Sequence, residues 1–116
     1  MSIQTCIGNL SLQSCIYNAS GPLCTSVDEL KSIDNSDSAV VLSKSSTLLP
    51  REGNPTPRYY HNSLGSINSM GLPNNGYQYY INASQIIHKP YMISVNGLTL
   101  SDTIKIIQDI LKVDTV

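Results

Sequence analysis

The stretch Ala39-Val40-Val41-Leu42-Ser43-Lys44-Ser45-Ser46-Thr47 decides the fold. Its four leading apolar residues, two of them β-branched, read as a strand covered on both faces, which is how strands of a parallel sheet are built. The run then passes straight into hydroxyls and one lysine, so the strand's carboxyl end opens on polar ground. Upstream, Ser26-Val27-Asp28-Glu29 is a capping box, with a hydroxyl at the N-cap and a carboxylate three residues on. It predicts a helix over about 26–33, with Leu30 and Ile33 inward, ended by Asn35-Ser36-Asp37-Ser38. Further back, Ser14-Cys15-Ile16-Tyr17 reads as a short buried strand, broken by the turn chemistry of Asn18-Ala19-Ser20-Gly21-Pro22. Residues 3–12 are expected to form a hairpin about Gly8-Asn9, where glycine supplies a positive φ without steric cost.

Downstream, residues 48–76 show no periodicity and hold four of the six prolines and four of the seven glycines. A loop of this length inside a small domain usually carries function. Tyr77, Tyr80, Ile81 and Ser84 then fall at i, i+3, i+4 and i+7 and predict a helix over about 76–87. Tyr91-Met92-Ile93-Ser94-Val95 is another buried strand, ending at Asn96-Gly97. A last helix over about 100–112 carries an apolar stripe of Ile104, Ile107 and Leu111, broadened by Ile106 and Ile110, with Lys105, Asp109 and Lys112 on the wet face. Strands alternating with helices imply βαβ units and a parallel sheet, so the fold class is α/β. Three such strands, over about 14–112, cannot close a barrel. Val113-Asp114-Thr115-Val116 reads as the approach to a further strand, and the architecture is expected to be incomplete at that point.

With 116 residues the chain makes one small domain. A net charge of −1, from 7 basic and 8 acidic side chains, excludes the basic footprint of a nucleic-acid binder. Charged residues make up only 13% against 41% hydrophobic, which describes a folded chain rather than a disordered one. Neither Trp nor Phe occurs, so the core must come from Ile, Leu and Val. No apolar run approaches the ~20 residues that span a bilayer, and the N-terminus lacks a signal-peptide pattern; the expectation is a cytoplasmic protein with no membrane partner. Cys6, Cys15 and Cys24 match no disulfide framework and no zinc spacing and read as reduced thiols, Cys15 as a small core residue. His61 and His88 read as exposed loop residues, and no metal site is expected.

In parallel α/β folds, ligands bind at the carboxyl ends of the strands. Lys44 stands at such an end, where its ammonium can meet an anion or can simply snorkel out of the sheet. Ala19-Ser20-Gly21 leaves room for a ligand to approach the backbone, or is an ordinary turn. Gly65-Ser66-Ile67-Asn68-Ser69-Met70-Gly71-Leu72 offers N–H groups and the Asn68 amide to a planar polar ligand, or is a surface loop. Arg51 and Arg58 flank a stiff Pro55-Thr56-Pro57 and suit carboxylate or phosphate, or belong to a loop whose charges balance internally. No Walker loop, G-x-G-x-x-G or G-x-S-x-G occurs.

Taken together, Lys44-Ser45-Ser46-Thr47, Arg51-Glu52-Gly53-Asn54-Pro55, Pro57-Arg58-Tyr59 and Leu64-Gly65-Ser66-Ile67-Asn68-Ser69-Met70-Gly71-Leu72-Pro73-Asn74 resemble dihydroorotate dehydrogenase, in its cytosolic, fumarate-using branch. Asn18-Ala19-Ser20-Gly21 is similar to that family's first strand–loop junction, and Ser94-Val95-Asn96-Gly97-Leu98 to its third strand end. The resemblance runs in register along nearly the whole chain. It implies the N-terminal portion of a (β/α)8 TIM barrel, preceded by a β-hairpin. It also implies an FMN enzyme of pyrimidine biosynthesis that oxidises dihydroorotate to orotate with fumarate as acceptor, and a homodimer. Carried over, Ala19, Ser20, Lys44 and Ser45 contact FMN, while Lys44, Asn68, Ser69, Met70, Gly71 and Leu72 bind substrate. A cation beside the flavin would stabilise the negative charge gained on reduction.

Two departures stand out. Ser14-Cys15-Ile16-Tyr17 replaces the family's Asn-Pro-Phe-Met, and Pro22 stands where a valine is usual. The family's base is a cysteine in Asn-Leu-Ser-Cys-Pro-Asn after the fourth strand, which the resemblance places beyond Val116; none of Cys6, Cys15 or Cys24 matches it. The family's second flavin-side lysine, its serine–asparagine substrate contacts and its glycine-rich phosphate site also have no counterpart here. No catalytic residue is therefore expected within these residues, and the 116-residue chain alone is expected not to turn over. The competing expectation is a non-enzymatic chain retaining a weak anion- or pyrimidine-binding loop.

Overall fold

A computed structural model describes residues 3–116. β1 (Thr5–Ile7) and β2 (Leu10–Leu12) pair antiparallel across a turn in which Gly8 has φ +57°. α1 (Val27–Asp34) begins at Ser26, whose hydroxyl accepts the Glu29 N–H at 3.3 Å. The Glu29 carboxylate in return accepts the Ser26 and Thr25 N–H groups, each at 2.9 Å. The Ser26 N–H is the main reason the Glu29 carboxyl sits below its usual range. The sequence-level reading of this helix start rests on local chemistry alone, and the structure reproduces it.

β3 (Val41–Leu42) and β6 (Tyr91–Met92) form the parallel sheet, Val41 opposite Tyr91 and Leu42 opposite Met92. Pairing continues beyond these short strands. The Val41 N–H donates to Pro90 O at 2.9 Å, Ser43 N–H to Met92 O at 3.0 Å and Ser46 N–H to Ser94 O at 2.8 Å. α2 (Tyr77–Ser84) packs with α1 on one face of the sheet. There Cys24, Leu30, Val41, Tyr80, Ala83 and Tyr91 make the core. The Tyr79 hydroxyl accepts the Val27 N–H at 2.9 Å and ties the two helices together. At the far end of α1, the buried Asp34 carboxylate accepts the Lys89 N–H at 2.9 Å, the His88 N–H at 3.2 Å and a contact from His88 Nδ1 at 2.9 Å. It thereby anchors the entry to β6.

The structure corrects several expectations. Residues 14–17 form no strand, and Cys15, Ile16 and Tyr17 are exposed. The reason is that their place beside β3 is taken by a side chain: Asn18 Oδ1 accepts the Leu42 N–H at 2.9 Å and Asn18 Nδ2 donates to Leu42 O at 2.7 Å. One amide thus supplies both halves of a ladder rung, and only the Ala39 N–H reaches Ile16 O, at 3.0 Å. The loop 48–76 is not structureless. It contains an antiparallel hairpin, β4 (Tyr59–Asn62) and β5 (Gly65–Asn68), with Tyr59 opposite Asn68. This hairpin is exposed throughout, so no buried face printed a period-2 pattern on its sequence.

α3 (Leu100–Ile110) forms where expected but turns a different face inward. Ile106 is fully buried, whereas Ile104, Ile107 and Leu111 are exposed, Leu111 at 80%. Asp109 is not on a wet face: it accepts the Tyr77 hydroxyl at 2.8 Å as well as Lys105 Nζ at 2.6 Å and Lys112 Nζ at 2.9 Å. The Tyr77 contact links α3 to the start of α2, and the apolar stripe is left uncovered. α2 itself ends at Ser84, short of 87, and residues 113–116 form no strand. The Thr115 hydroxyl instead meets Ser84 Oγ at 2.6 Å. Among the described residues no helix is long and apolar enough to cross a membrane, and no group of three metal-ligating side chains occurs.

Candidate functional site

The site is built on the carboxyl end of β3. Lys44 is held by its N–H, which donates to Cys24 O at 2.9 Å, and its ammonium reaches Ser20 O at 3.3 Å. No carboxylate pairs with it among the described residues. An ammonium satisfied only by one carbonyl retains donors for an anionic ligand. Behind it, Cys24 is buried, with its thiol directed at Gly21 O, 3.2 Å away, and Ala19 O, 3.7 Å away. Burial pushes this thiol above its usual pKa, only partly offset by the Lys44 charge. Cys24 is therefore a protonated brace for the 19–21 turn rather than a proton acceptor.

The opposite wall comes from the loop that follows β3. Asn74 is its hub. Its Oδ1 accepts the Thr47 N–H at 3.1 Å and the Gly76 N–H at 2.8 Å, its Nδ2 donates to Leu72 O at 3.0 Å, and its backbone bridges Arg51 in both directions. Both arginines read as anion binders donate to backbone carbonyls. Arg51 Nε and Nη2 donate to Gly71 O at 3.4 and 3.3 Å, and Arg58 Nη1 to Glu52 O at 2.7 Å and Asn54 O at 3.1 Å. Asn54 closes the brace, its N–H on Met70 O at 2.9 Å and its Nδ2 on Ser69 O at 2.7 Å. The two segments approach so closely that a Cβ on Gly71 would lie 2.6 Å from Asn54 Cγ. Gly71 has φ +74°, and Leu72, with its side chain, is held at φ +58°. A left-handed leucine is strained backbone, tolerated where its surroundings impose it, and such residues concentrate at ligand sites.

Between these walls lies a cavity of about 850 Å³. Of the residues singled out from sequence, Lys44, Asn68, Met70, Gly71 and Leu72 line it together, and Gly21 and Arg58 join them. Asn68 Oδ1 accepts the Met70 N–H at 3.4 Å, and no protein acceptor among the described residues takes its NH2 group. Ser69 is not on the cavity; its backbone is spent on Arg58 and Asn54. Ala19, Ser20 and Ser45 lie beside the cavity, at the strand mouths. Ser45 Oγ is 2.9 Å from both Ser20 Oγ and Ser94 Oγ. The sequence reading missed Thr25 and Tyr59 as lining residues and Asn18 and Asn74 as the amides that hold the walls. Both asparagines sit beside loop junctions, but nothing local shows that their partners lie 24 and 27 residues away.

The arrangement defines an α/β protein with a cavity at the carboxyl ends of parallel strands, walled by a braced loop and lined by two cations, Lys44 and Arg58, that pair with no carboxylate among the described residues. The chain belongs to the dihydroorotate dehydrogenase family, which it matches over residues 2–115. It is 43% identical over 119 residues to a Streptococcus pyogenes serotype M1 protein named as a dihydroorotate dehydrogenase A (fumarate), covering 98% of this chain and 38% of that protein. It is 38% identical over 112 residues to the dihydroorotate dehydrogenase (fumarate) of Trypanosoma brucei brucei, covering 93% of this chain and 36% of that protein. The chain thus spans little more than a third of the length of these relatives.

Proposed function

We propose that these residues are the N-terminal portion of a (β/α)8 barrel that oxidises dihydroorotate to orotate with FMN and fumarate, in pyrimidine synthesis. The observation that carries this reading is the convergence of Lys44 with Asn68, Met70, Gly71 and Leu72 on one cavity. The two-stranded parallel sheet, with no third strand on either edge among the described residues, and the uncovered stripe of α3 agree with a barrel to which further β/α units are added.

The residues present fit a flavin beside a planar anion: an ammonium without an acid partner, and three hydroxyls at the strand mouths. Ala19, Ser20, Lys44 and Ser45 would hold FMN. When bound, FMN supplies the hydride acceptor that fumarate later regenerates. Lys44 places its charge where both the reduced ring and a substrate carboxylate gain from it. The Asn68 NH2 and the N–H groups of Gly71 and Leu72, fixed in advance by Arg51, Asn54 and Asn74, orient the pyrimidine; Met70 and Ser69 contribute through the backbone that supports them. Cys24, protonated by burial, does not abstract the substrate proton.

Calorimetric titration of orotate into the purified chain and into Lys44→Ala tests the reading. Loss of a charge-assisted contact of this kind weakens binding about ten- to a hundredfold. Equal affinity in the two proteins removes Lys44 from the site. In a fumarate-dependent assay the 116 residues alone should form no orotate; turnover would show that the proton acceptor lies among them. Orotate binding with no flavin binding would favour the second expectation, a chain that keeps only a pyrimidine-binding loop.

A further inference from the structure

The chain of hydroxyls Ser20–Ser45–Ser94 joins three segments distant in sequence, with both links at 2.9 Å. Ser94 is held on every other side. Its carbonyl accepts the Ser46 N–H at 2.8 Å and the Ser46 hydroxyl at 3.0 Å, and its own N–H donates to Ser43 Oγ at 3.2 Å. Its side chain is therefore delivered to Ser45 by a fixed backbone and has no other partner among the described residues. Neither Ser20 Oγ nor Ser45 Oγ has a partner outside the chain.

A serine hydroxyl carries one proton and two lone pairs. Two links use two of the three protons and leave one uncommitted. If Ser94 donates to Ser45 and Ser45 to Ser20, the free O–H is at Ser20. If the order reverses, Ser20 presents a lone pair and the free O–H moves to Ser94. With Ser20 and Ser94 both donating, Ser45 keeps it. The same three residues can therefore offer a donor or an acceptor at Ser20 and Ser45 without moving a heavy atom. A redox ring whose nitrogen accepts a hydrogen bond when oxidised and donates one when reduced needs this adaptability.

We propose that Ser94 is a positioning residue. By giving Ser45 a second hydroxyl partner it biases which polarity Ser20 and Ser45 present, and so sets the balance of the protein's affinity for the oxidised and reduced forms of a flavin. This rests on the flavin reading above and assigns Ser94 a part in it.

The test compares wild type, Ser94→Ala and Ser94→Thr. Dissociation constants are measured for oxidised FMN by fluorescence and for dithionite-reduced FMN by anaerobic calorimetry, with thermal melts in parallel. Removing the end hydroxyl should change the ratio of the two constants about three- to tenfold, the size expected of one hydrogen bond. Threonine, which keeps the hydroxyl, should restore the wild-type ratio. A purely structural role would weaken both forms alike and lower the melting temperature, leaving the ratio unchanged, and would overturn the proposal. If wild type binds neither form, the flavin reading falls and the role of Ser94 falls with it. If wild type binds both and Ser94→Ala matches it, only the role of Ser94 falls.

Discussion

Replacing Gly97 by alanine probes how α3 docks against the mouth of β6. An added Cβ would lie 2.8 Å from Thr103 Cα and closer still to Thr103 N and Oγ1. Carbon atoms rest at about 3.5–4.0 Å, so the first turn of α3 must retreat by the better part of an ångström. The obstacle is helix backbone, which no rotamer change removes. Over-packing of this kind costs about 1–3 kcal/mol, while the reduced freedom of the unfolded chain returns about 0.4–1 kcal/mol. The balance is a net loss of about 1–2 kcal/mol and a melting temperature lower by roughly 4–10 °C. The assay is thermal unfolding followed by far-UV circular dichroism, with Gly21→Ala as the internal control. There the new Cβ would meet only Ala19 O, at 3.9 Å, and the melt should stay within about 2 °C of wild type. Coincident melts for the two variants would refute the close approach of Gly97 to Thr103.

Two further outcomes follow from packing and charge. Ile106→Ala should cost about 2–4 kcal/mol in denaturant unfolding, because that side chain is fully buried, whereas Leu111→Ala should cost under about 0.5 kcal/mol; equal losses would mean that the exposed stripe of α3 is covered. Burial pulls the Asp34 carboxyl upward, but the Lys89 N–H, then the His88 ring and N–H, outweigh it and hold the group below its usual value of 3.8. A depressed carboxylate stabilises the fold fully above that value and loses its contribution as pH falls through the lower folded one. Asp34→Asn should therefore melt well below wild type at pH 6, with the gap closing toward pH 3; a gap that widened on acidification would contradict the assignment.

Short-range chemistry is what made much of the fold legible. The capping box of Ser26 and Glu29, the period of Tyr77, Tyr80 and Ile81, and the apolar runs at 39–42 and 91–95 each act within a few residues, and each marks an element near its observed place. The site was legible through the 44–47 and 64–74 stretches, the second of which brings five residues to Lys44 on the cavity. What failed were the readings in which a distant side chain took the place or set the surroundings of an expected element. Residues 14–17 look like a strand, but the Asn18 amide occupies the edge they would have joined. The apolar residues of α3 form a stripe in sequence, yet Ile106 alone of them is fully buried, and Asp109, expected on the wet face, takes the Tyr77 hydroxyl.

By itself the amino-acid order determined the alternation of strand and helix, the caps and the lysine at a strand mouth, because propensity, capping and periodicity are properties of neighbours along the chain. Only the tertiary structure decided that Lys44 and Asn68 share a cavity, that Arg51 braces the backbone of Gly71, and that Ser20, Ser45 and Ser94 form one line of hydroxyls. The shared Lys44–Asn68 cavity and the Arg51–Gly71 and serine contacts join residues 20 to 49 positions apart, and their distances are set by how α1, α2 and the braced loop pack against a sheet two strands wide.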